Sequence, residues 1–323
     1  MTLPVVDLHC DLLYYLVQNT SRTPHDTAVP CAIPFLKKGN VKLQVLAVFA
    51  PTESDSVQLA EKQLEIYRKI LKEENDVYEA GSLKDIDCQS DKVGLTLAIE
   101  GASCLCTEDE PLQKGLTRLE ELVLQKKKPL YVSLTWNTEN RFGGGNTTQM
   151  GLKEDGKALL ELMAEHSIAV DFSHTSDPLA YGILDYIDQK QLKIPVMASH
   201  SNFRSVHNVP RNLPDAIAKE IVNRGGIIGL NFIRPFVGGD SLPALCKHLE
   251  HGFNLGMKDS MALGADFFYL GDIKLQFNMP YYFEGLENAG GYKNLQELLE
   301  KQFGDEWSGK VFSDNFLDFQ ERI

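Results

Sequence analysis

Imidazoles and carboxylates that could bind a metal ion recur at the ends of short apolar runs. His9 and Asp11 follow the first run, in D-L-H-C-D. Residues two apart on an extended segment point to the same side, so this pair could share one ion. Glu100 ends the run L-A-I-E, and His174 and His200 end V-D-F-S-H and V-M-A-S-H. One H-x-D pair alone is common, but five such residues at the ends of four runs predict a metal site.

The apolar runs have the composition of buried parallel strands. They are rich in Val, Ile and Leu and show little alternation, as expected for strands that are covered on both faces. We predict strands at 5–8, 43–50, 93–99, 130–135, 168–172, 194–199, 227–232 and 267–270. Amphipathic segments predict helices at 56–74, 112–126, 152–166, 179–191, 213–224 and 241–263. This alternation favours a (β/α)₈ TIM barrel, a single domain over residues 1–323 with 292–323 as a C-terminal helical extension.

A barrel would bring the candidate ligands together, because TIM-barrel enzymes build their sites at the C-terminal ends of the strands. Asp272, in Y-L-G-D, ends the predicted eighth strand and joins the set. The long segment 18–40 is predicted to lie over this face, where extended loops often do. The remaining histidines end no strand and are predicted to be surface or loop residues: His25, His166, His207, His248 and His251.

The ligand types indicate which metal would bind. Three imidazoles, an aspartate and a glutamate that could bridge two ions suit borderline divalent cations, zinc first. Two ions that share a carboxylate and a hydroxide are a common arrangement for hydrolysing amides.

Charge and composition restrict the partners and the compartment. The net charge of −13 argues against nucleic acid, which requires a basic surface. The six cysteines lack disulfide or zinc-knuckle spacing and are predicted to be free thiols in a reducing compartment. The N-terminal segment has no basic region, and no window approaches 18 uncharged apolar residues, so we predict a soluble, cytoplasmic protein without membrane contact.

Several motifs resemble those of the membrane (renal) dipeptidase family of amidohydrolase-like barrels. The matching stretches, in the family's order, are DLHCDLL, LAIEGA, VSLTWNTENRFGGG, VDFSH, SHSNFRSVHNVPRNLPD and the C-terminal DNFL. The resemblance implies a metallo-dipeptidase with two zinc ions bridged by Glu100. His9 and Asp11 would complete one metal position, and His174 and His200 the other.

The resemblance also implies roles in substrate binding and proton transfer. Arg211, in the RNLPD block, would grip the carboxylate of the dipeptide, since a guanidinium pairs bidentately with that group. A metal-bridged hydroxide would attack the scissile carbonyl, and Asp272 would carry its proton to the leaving amine. Trp136 would contact the substrate where animal members have a histidine, and Phe236 stands near their carboxylate-binding tyrosine. Members are often dimers, so the resemblance allows a homodimer.

The end of the eighth predicted strand departs from the family, whose usual G-S-D-F-D-G reads L-G-D-I-K-L here. Asp272 keeps the first acid, and Lys274 replaces the second. Asp266 is the alternative acid, but the prediction puts it at the start of that strand, away from the catalytic face.

Two other functions remain open from the sequence. An N-acyl-amino acid deacylase, or another small amidase, could use the same metals and the same carboxylate grip. A metal-binding scaffold without catalysis would explain the altered L-G-D-I-K-L segment, although it would not explain why every proposed ligand is present.

Overall fold

The computed structural model describes residues 2–81, 83–272, 277 and 279–323. Within these residues all strand pairs are parallel. The strands are β1 (Val5–Cys10), β2 (Val41–Phe49), β3 (Val77–Glu79), β4 (Val93–Glu100), β5 (Tyr131–Ser133), β6 (Ala169–Asp171), β7 (Val196–Ala198), β8 (Ile227–Leu230) and β9 (Met261–Leu263). Pairing in the order β1-β2-β4-β5-β6-β7-β8-β9, with β9 returning to β1, closes a (β/α)₈ barrel. β3 is added beside the first half of β4.

Helices surround the barrel and continue at the C-terminal end. They are α1 (Leu12–Val17), α2 (Ile33–Lys38), α3 (Ser56–Glu73), α4 (Leu112–Leu124), α5 (Glu154–Glu165), α6 (Asp177–Lys190), α7 (Asp215–Asn223), α8 (Arg234–Val237), α9 (Pro243–Asn254), α10 (Tyr292–Phe303), α11 (Asp305–Gly309) and α12 (Asn315–Gln320). The predicted barrel with C-terminal helices is therefore confirmed.

Burial explains why the strands lack alternation in sequence. Every residue of β1, β2 and β4 is buried, because helices cover their outer side chains and the barrel interior encloses the inner ones. Phe316 and Phe319 of α12 pack into the same apolar cluster as Leu8 and Tyr131 of the barrel. The C-terminal helices thus add to the core at the end of the barrel opposite the candidate ligands.

The prediction for the eighth barrel strand is wrong. The strand is β9, inside the segment predicted as helix 241–263, and the helix there is α9. Residues 267–270 form no strand beyond a single bridge from Phe267 to Cys10. The Phe267 ring instead packs 5.5 Å from the Tyr282 ring and 6.3 Å from the Tyr292 ring. Residues 267–270 are apolar because they pack against the core and these aromatic rings.

Among the described residues, none of the helices has the length and apolar character needed to cross a lipid bilayer.

Candidate active site

Glu100, the last residue of β4, lies between two groups of candidate ligands. Its Oε2 atom is 3.5 Å from Nε2 of His9, which is itself 3.9 Å from Oδ2 of Asp11. Its Oε1 atom is 3.0 Å from Nε2 of His174 and 3.5 Å from Nε2 of His200. The two oxygens of one carboxylate therefore face two separate sets of ligands, all at the C-terminal ends of barrel strands.

The His9 ring is oriented by a buried tyrosine. Its Nδ1 atom lies 2.7 Å from the Tyr131 hydroxyl, which donates to the carbonyl of Leu8 at 3.0 Å. Because the hydroxyl proton is used in that bond, Nδ1–H of His9 donates to the hydroxyl oxygen. In the neutral form of the ring Nε2 carries the lone pair, and this atom is buried without a hydrogen-bond partner among the described residues.

The other two imidazoles are oriented in the same way. Nδ1 of His174 lies 2.8 Å from Oδ1 of Asn137. Nδ1 of His200 lies 2.7 Å from Oγ of Ser199, which donates to Asp171 at 2.8 Å. Each ring therefore donates from Nδ1 to an oxygen and presents Nε2 to Glu100, the arrangement usual for histidines that bind a metal.

Burial and the charges of neighbouring groups shift the pKa values of His9, Asp11 and Asp266. Burial alone would lower the pKa of His9, but the carboxylates of Glu100, Asp11 and Asp266 outweigh it and raise the value to about 10. Burial, together with the Glu100 charge, raises the pKa of Asp11 well above its usual range. Burial also raises the pKa of Asp266. The carboxyl groups of Glu100, Asp11 and Asp266 are therefore close enough to repel one another when ionised, and divalent cations would compensate that repulsion.

The pKa values of the other two histidines move the opposite way. Burial, with the nearby Arg211 charge, lowers the pKa of His174 to about 4. Burial and the charge of His9 lower the pKa of His200 well below its usual value. Both rings are neutral at pH 7, the form in which imidazole binds metals.

Asp266, rather than Asp272, lies beside the candidate ligands. Its Oδ1 atom lies 3.8 Å from Nε2 of His9, and its Oδ2 atom accepts a hydrogen bond from Asn231 at 2.8 Å. The prediction that it lies away from the catalytic face is wrong, because β9 ends at Leu263 and Asp266 follows the strand. Asp272 lies farther out, in the lining of the cavity beside the cluster. Both of its oxygens bind the guanidinium of Arg22. Lys274 lies outside the described residues.

Two of the site residues adopt left-handed backbone conformations. His174 has φ +66° and Asp266 has φ +61°, values that residues other than glycine seldom adopt. The chain also turns immediately after Glu100, at Gly101 with φ +84°. In residues other than glycine such conformations cost about 1–3 kcal/mol each, and they occur often in functional sites.

A cavity of about 350 Å³ opens above the cluster and is bounded largely by aromatic side chains. Asp11, Glu100, His174 and Asp266 form part of its lining. Trp136 lines it as well, with its ring 5.0 Å from the Phe49 ring and 6.2 Å from His174. The volume lies within the range of small-ligand sites.

Arg211 lies beside His174, is 5% exposed and is not among the residues that line this cavity. Its Nη2 atom donates to the carbonyl of His200 at 2.9 Å and lies 3.1 Å from Nε2 of His174. Nη1 donates to Ser201 at 3.2 Å. The Nε atom is buried without a hydrogen-bond partner among the described residues. Arg211 therefore places a positive charge next to the cluster, and that charge favours an anionic group nearby.

The other histidines lie outside the cluster, but one is not at the surface. His248 is fully buried in α9, where Nδ1 accepts from the Phe203 backbone at 3.1 Å and Nε2 donates to the carbonyl of Val237 at 2.8 Å. The prediction that His248 is a surface or loop residue is wrong, because its side chain is buried and both ring nitrogens bind backbone groups, those of Phe203 and Val237. The cysteines are free, as predicted, and only Cys88 is partly exposed.

The sequence matches the profile of the membrane dipeptidase family (peptidase family M19) over residues 1–322. The chain belongs to this family. Membership makes the protein a metal-dependent peptide hydrolase, and the cluster around Glu100 supplies suitable ligands.

Sequence relatives and solved structures extend the comparison. An uncharacterised protein of Klebsiella pneumoniae is 27% identical over 282 residues, 78% of this chain and 95% of that protein. An uncharacterised protein of Acinetobacter calcoaceticus is 27% identical over 217 residues, which cover 62% of this chain and 64% of its own length. A metallopeptidase from Rhodobacter sphaeroides, crystallised with a phosphinate mimic of the dipeptide L-Ala-D-Ala, aligns with a TM-score of 0.83 at 19% identity, covering 100% of this chain and 99% of that one. At that identity the likeness shows a common fold.

In this member of the dipeptidase family, the residues that sequence reasoning missed orient the candidate ligands. Tyr131, Asn137 and Ser199 hold the three imidazoles, and Asn231 holds Asp266. Their signal was weak, because each is an ordinary polar residue at or near a strand end. Asn137 stood inside a recognised motif, VSLTWN, directly after Trp136.

Proposed function

We propose that the protein is a zinc-dependent dipeptidase whose two ions share Glu100. Its family supports metal-dependent hydrolysis of dipeptides. The observation that carries the two-ion proposal is the position of Glu100, with Oε2 3.5 Å from His9 and Oε1 3.0 Å from His174. On this proposal His9 and Asp11 hold the first ion with Glu100, and His174 and His200 hold the second.

The chemistry of the donors fits divalent cations. Nε2 of His9 and Oδ1 of Asp11 are buried without hydrogen-bond partners among the described residues. Leaving such atoms unsatisfied costs about 1–3 kcal/mol each, which an ion would recover. Imidazole and carboxylate ligands in this ratio favour zinc. Bound ions would lower the pKa of water and polarise a carbonyl oxygen.

Arg211 is the proposed binding group for the C-terminal carboxylate of the substrate. Its guanidinium is buried and positively charged, and Nε has no hydrogen-bond partner among the described residues. A carboxylate placed there would form charge-assisted hydrogen bonds and fix the distance from the substrate's end to the cluster. This requirement would restrict the enzyme to short peptides. Trp136 would border the substrate on the His174 side of the cavity.

Asp266 is the proposed proton carrier, in place of Asp272. Burial raises the pKa of Asp266, so its carboxyl holds a proton more readily near neutral pH than an exposed aspartate would. Asn231 fixes Oδ2 and leaves Oδ1 facing His9. Asp272 is less suited to the task because Arg22 binds both of its oxygens.

Zinc analysis combined with a substrate panel tests the proposal. Protein saturated with zinc and dialysed should retain close to two ions per chain, and it should hydrolyse free dipeptides faster than dipeptide amides or N-acetyl-amino acids. One ion or none would refute the bridging role of Glu100. Preferential hydrolysis of N-acetyl-amino acids would identify a deacylase instead.

A further inference from the structure

We propose that the cavity selects dipeptides with large, uncharged side chains, above all at the C-terminal position. This inference rests on the proposed dipeptidase function and adds the class of dipeptide. It is based on two groups of aromatic rings beside the cluster and on an acidic side chain at the outer cavity that an arginine neutralises.

The first aromatic group lies next to the proposed carboxylate-binding arginine. The guanidinium of Arg211 is 5.6 Å from the centre of the Phe236 ring. Phe236 is followed by Phe277 at 6.3 Å, and Phe277 by Tyr281 at 6.2 Å. The residue of a dipeptide that carries the free carboxylate also carries the C-terminal side chain, and the two are attached to the same carbon. With the carboxylate on Arg211, that side chain would be held close to Phe236.

The second aromatic group lies on the side of His174. The Phe49 ring is 5.0 Å from Trp136 and 5.1 Å from Tyr14, and all three line the cavity. On this proposal the N-terminal residue of the dipeptide lies against the apolar faces of these rings. An N-terminal side chain of apolar character would exclude water from them.

An ion pair between Asp272 and Arg22 neutralises the acidic side chain in the part of the cavity away from the cluster. Apart from the proposed metal ligands and Asp266, Asp272 is the one acidic residue of the described lining. Its carboxylate binds the guanidinium of Arg22, with Nη2 at 2.7 Å from Oδ1. Arg22 is held in turn by the Tyr15 and Tyr269 rings, 4.3 and 5.0 Å from its guanidinium. The described wall therefore offers no uncompensated charge to a substrate side chain, and a charged one would lose hydration without gaining a partner.

The C-terminal preference is tested with Ala-Phe, Ala-Leu, Ala-Ala and Ala-Glu on the zinc-loaded enzyme. The kcat/KM for Ala-Phe should exceed those for Ala-Ala and Ala-Glu by about tenfold, because burying an aromatic side chain supplies this much. Phe236→Ala should lower the ratio of Ala-Phe to Ala-Ala by about tenfold. Phe253→Ala is the matched control, since that partly buried ring packs on Phe303 and Trp307, away from the cavity. An unchanged ratio in Phe236→Ala, or equal ratios for both variants, would refute the proposal.

The charge balance is tested with Arg22→Gln, which leaves the Asp272 carboxylate without its partner. Lysine-containing dipeptides should gain about three- to fivefold in kcat/KM relative to their norleucine counterparts, the range expected for a partly exposed charge pair. Arg118→Gln is the matched control, because Arg118 likewise binds a carboxylate through both nitrogens, that of Glu110, and donates to a backbone carbonyl. No gain for lysine in Arg22→Gln, or the same gain in Arg118→Gln, would show that the pair does not set the charge preference.

Calorimetric binding of the same dipeptides separates this inference from the dipeptidase proposal. Tighter binding of Ala-Phe than of Ala-Ala, without cleavage of either, would support the selectivity and refute the catalytic function. Cleavage of all the dipeptides at equal rates, with equal affinities, would support the function and refute the selectivity.

Discussion

Replacing Asp266 with asparagine should abolish most of the activity while leaving the metal content nearly unchanged. Oδ1 of Asp266 lies 3.8 Å from Nε2 of His9, and Oδ2 is held by Asn231 at 2.8 Å. Asparagine keeps the shape and one hydrogen bond, but it cannot take up a proton at neutral pH. Loss of general acid–base assistance usually costs about 10²–10⁴-fold in rate. We therefore expect kcat to fall by at least about 10²-fold.

Asp272→Asn is the matched variant, because it makes the same chemical change in the same cavity. Its carboxylate is bound to Arg22, and removing a partly exposed ion pair costs about 0–1 kcal/mol. We expect kcat for an alanine dipeptide to stay within about tenfold of the original value. Steady-state kinetics on zinc-saturated protein, with zinc measured on the same samples, compares the two variants directly.

The outcome of this comparison assigns the acid unambiguously. A large loss in Asp272→Asn with normal turnover in Asp266→Asn would overturn the assignment and restore the role first expected for Asp272. A loss of one zinc ion in Asp266→Asn would mean that Asp266 is a ligand rather than the proton carrier. Full activity in both variants would exclude either carboxylate from proton transfer.

Three further changes test other parts of the structure. Arg211→Ala should raise KM for free dipeptides by roughly 10–100-fold but affect dipeptide amides far less, and equal effects on both would make the arginine structural. Tyr131→Phe removes the acceptor of the His9 ring and should weaken zinc binding by about 10–100-fold in a competition titration, whereas the buried Tyr67→Phe should not. Burial lowers the pKa of His248 to about 4, so the unfolded chain takes up a proton more readily, and the free energy of unfolding should fall by up to about 3 kcal/mol as the pH drops from about 6.5 to 4. His248→Gln should flatten this part of the denaturation profile, and an unchanged slope would contradict the assignment.

Most of the barrel could be predicted because its strands have a strong local signal. Runs such as 93–99 are continuous and apolar, and the structure buries every residue of β4. The candidate ligands His9, Glu100, His174 and His200 could be recognised because each follows such a run. The short β3 and the boundary between α9 and β9 carried no comparable signal. Met261–Leu263 follows α9 so closely that its apolar residues continue the apolar pattern of the helix, and periodicity alone does not separate the two.

The position of Asp266 beside the candidate ligands could not be predicted from the sequence, because contacts between distant residues fix its backbone. Oδ1 of Asp7 in β1 accepts a hydrogen bond from the backbone of Ala265 at 2.9 Å, and Oδ2 accepts one from the Tyr292 hydroxyl at 2.7 Å. These contacts, made by residues distant in sequence, stabilise the chain where Asp266 takes φ +61°. A left-handed aspartate outside any strand has no recognisable periodicity, and it is favourable only when tertiary contacts offset its strain. His174, with φ +66°, shares that backbone conformation but was recognised because a longer apolar run precedes it.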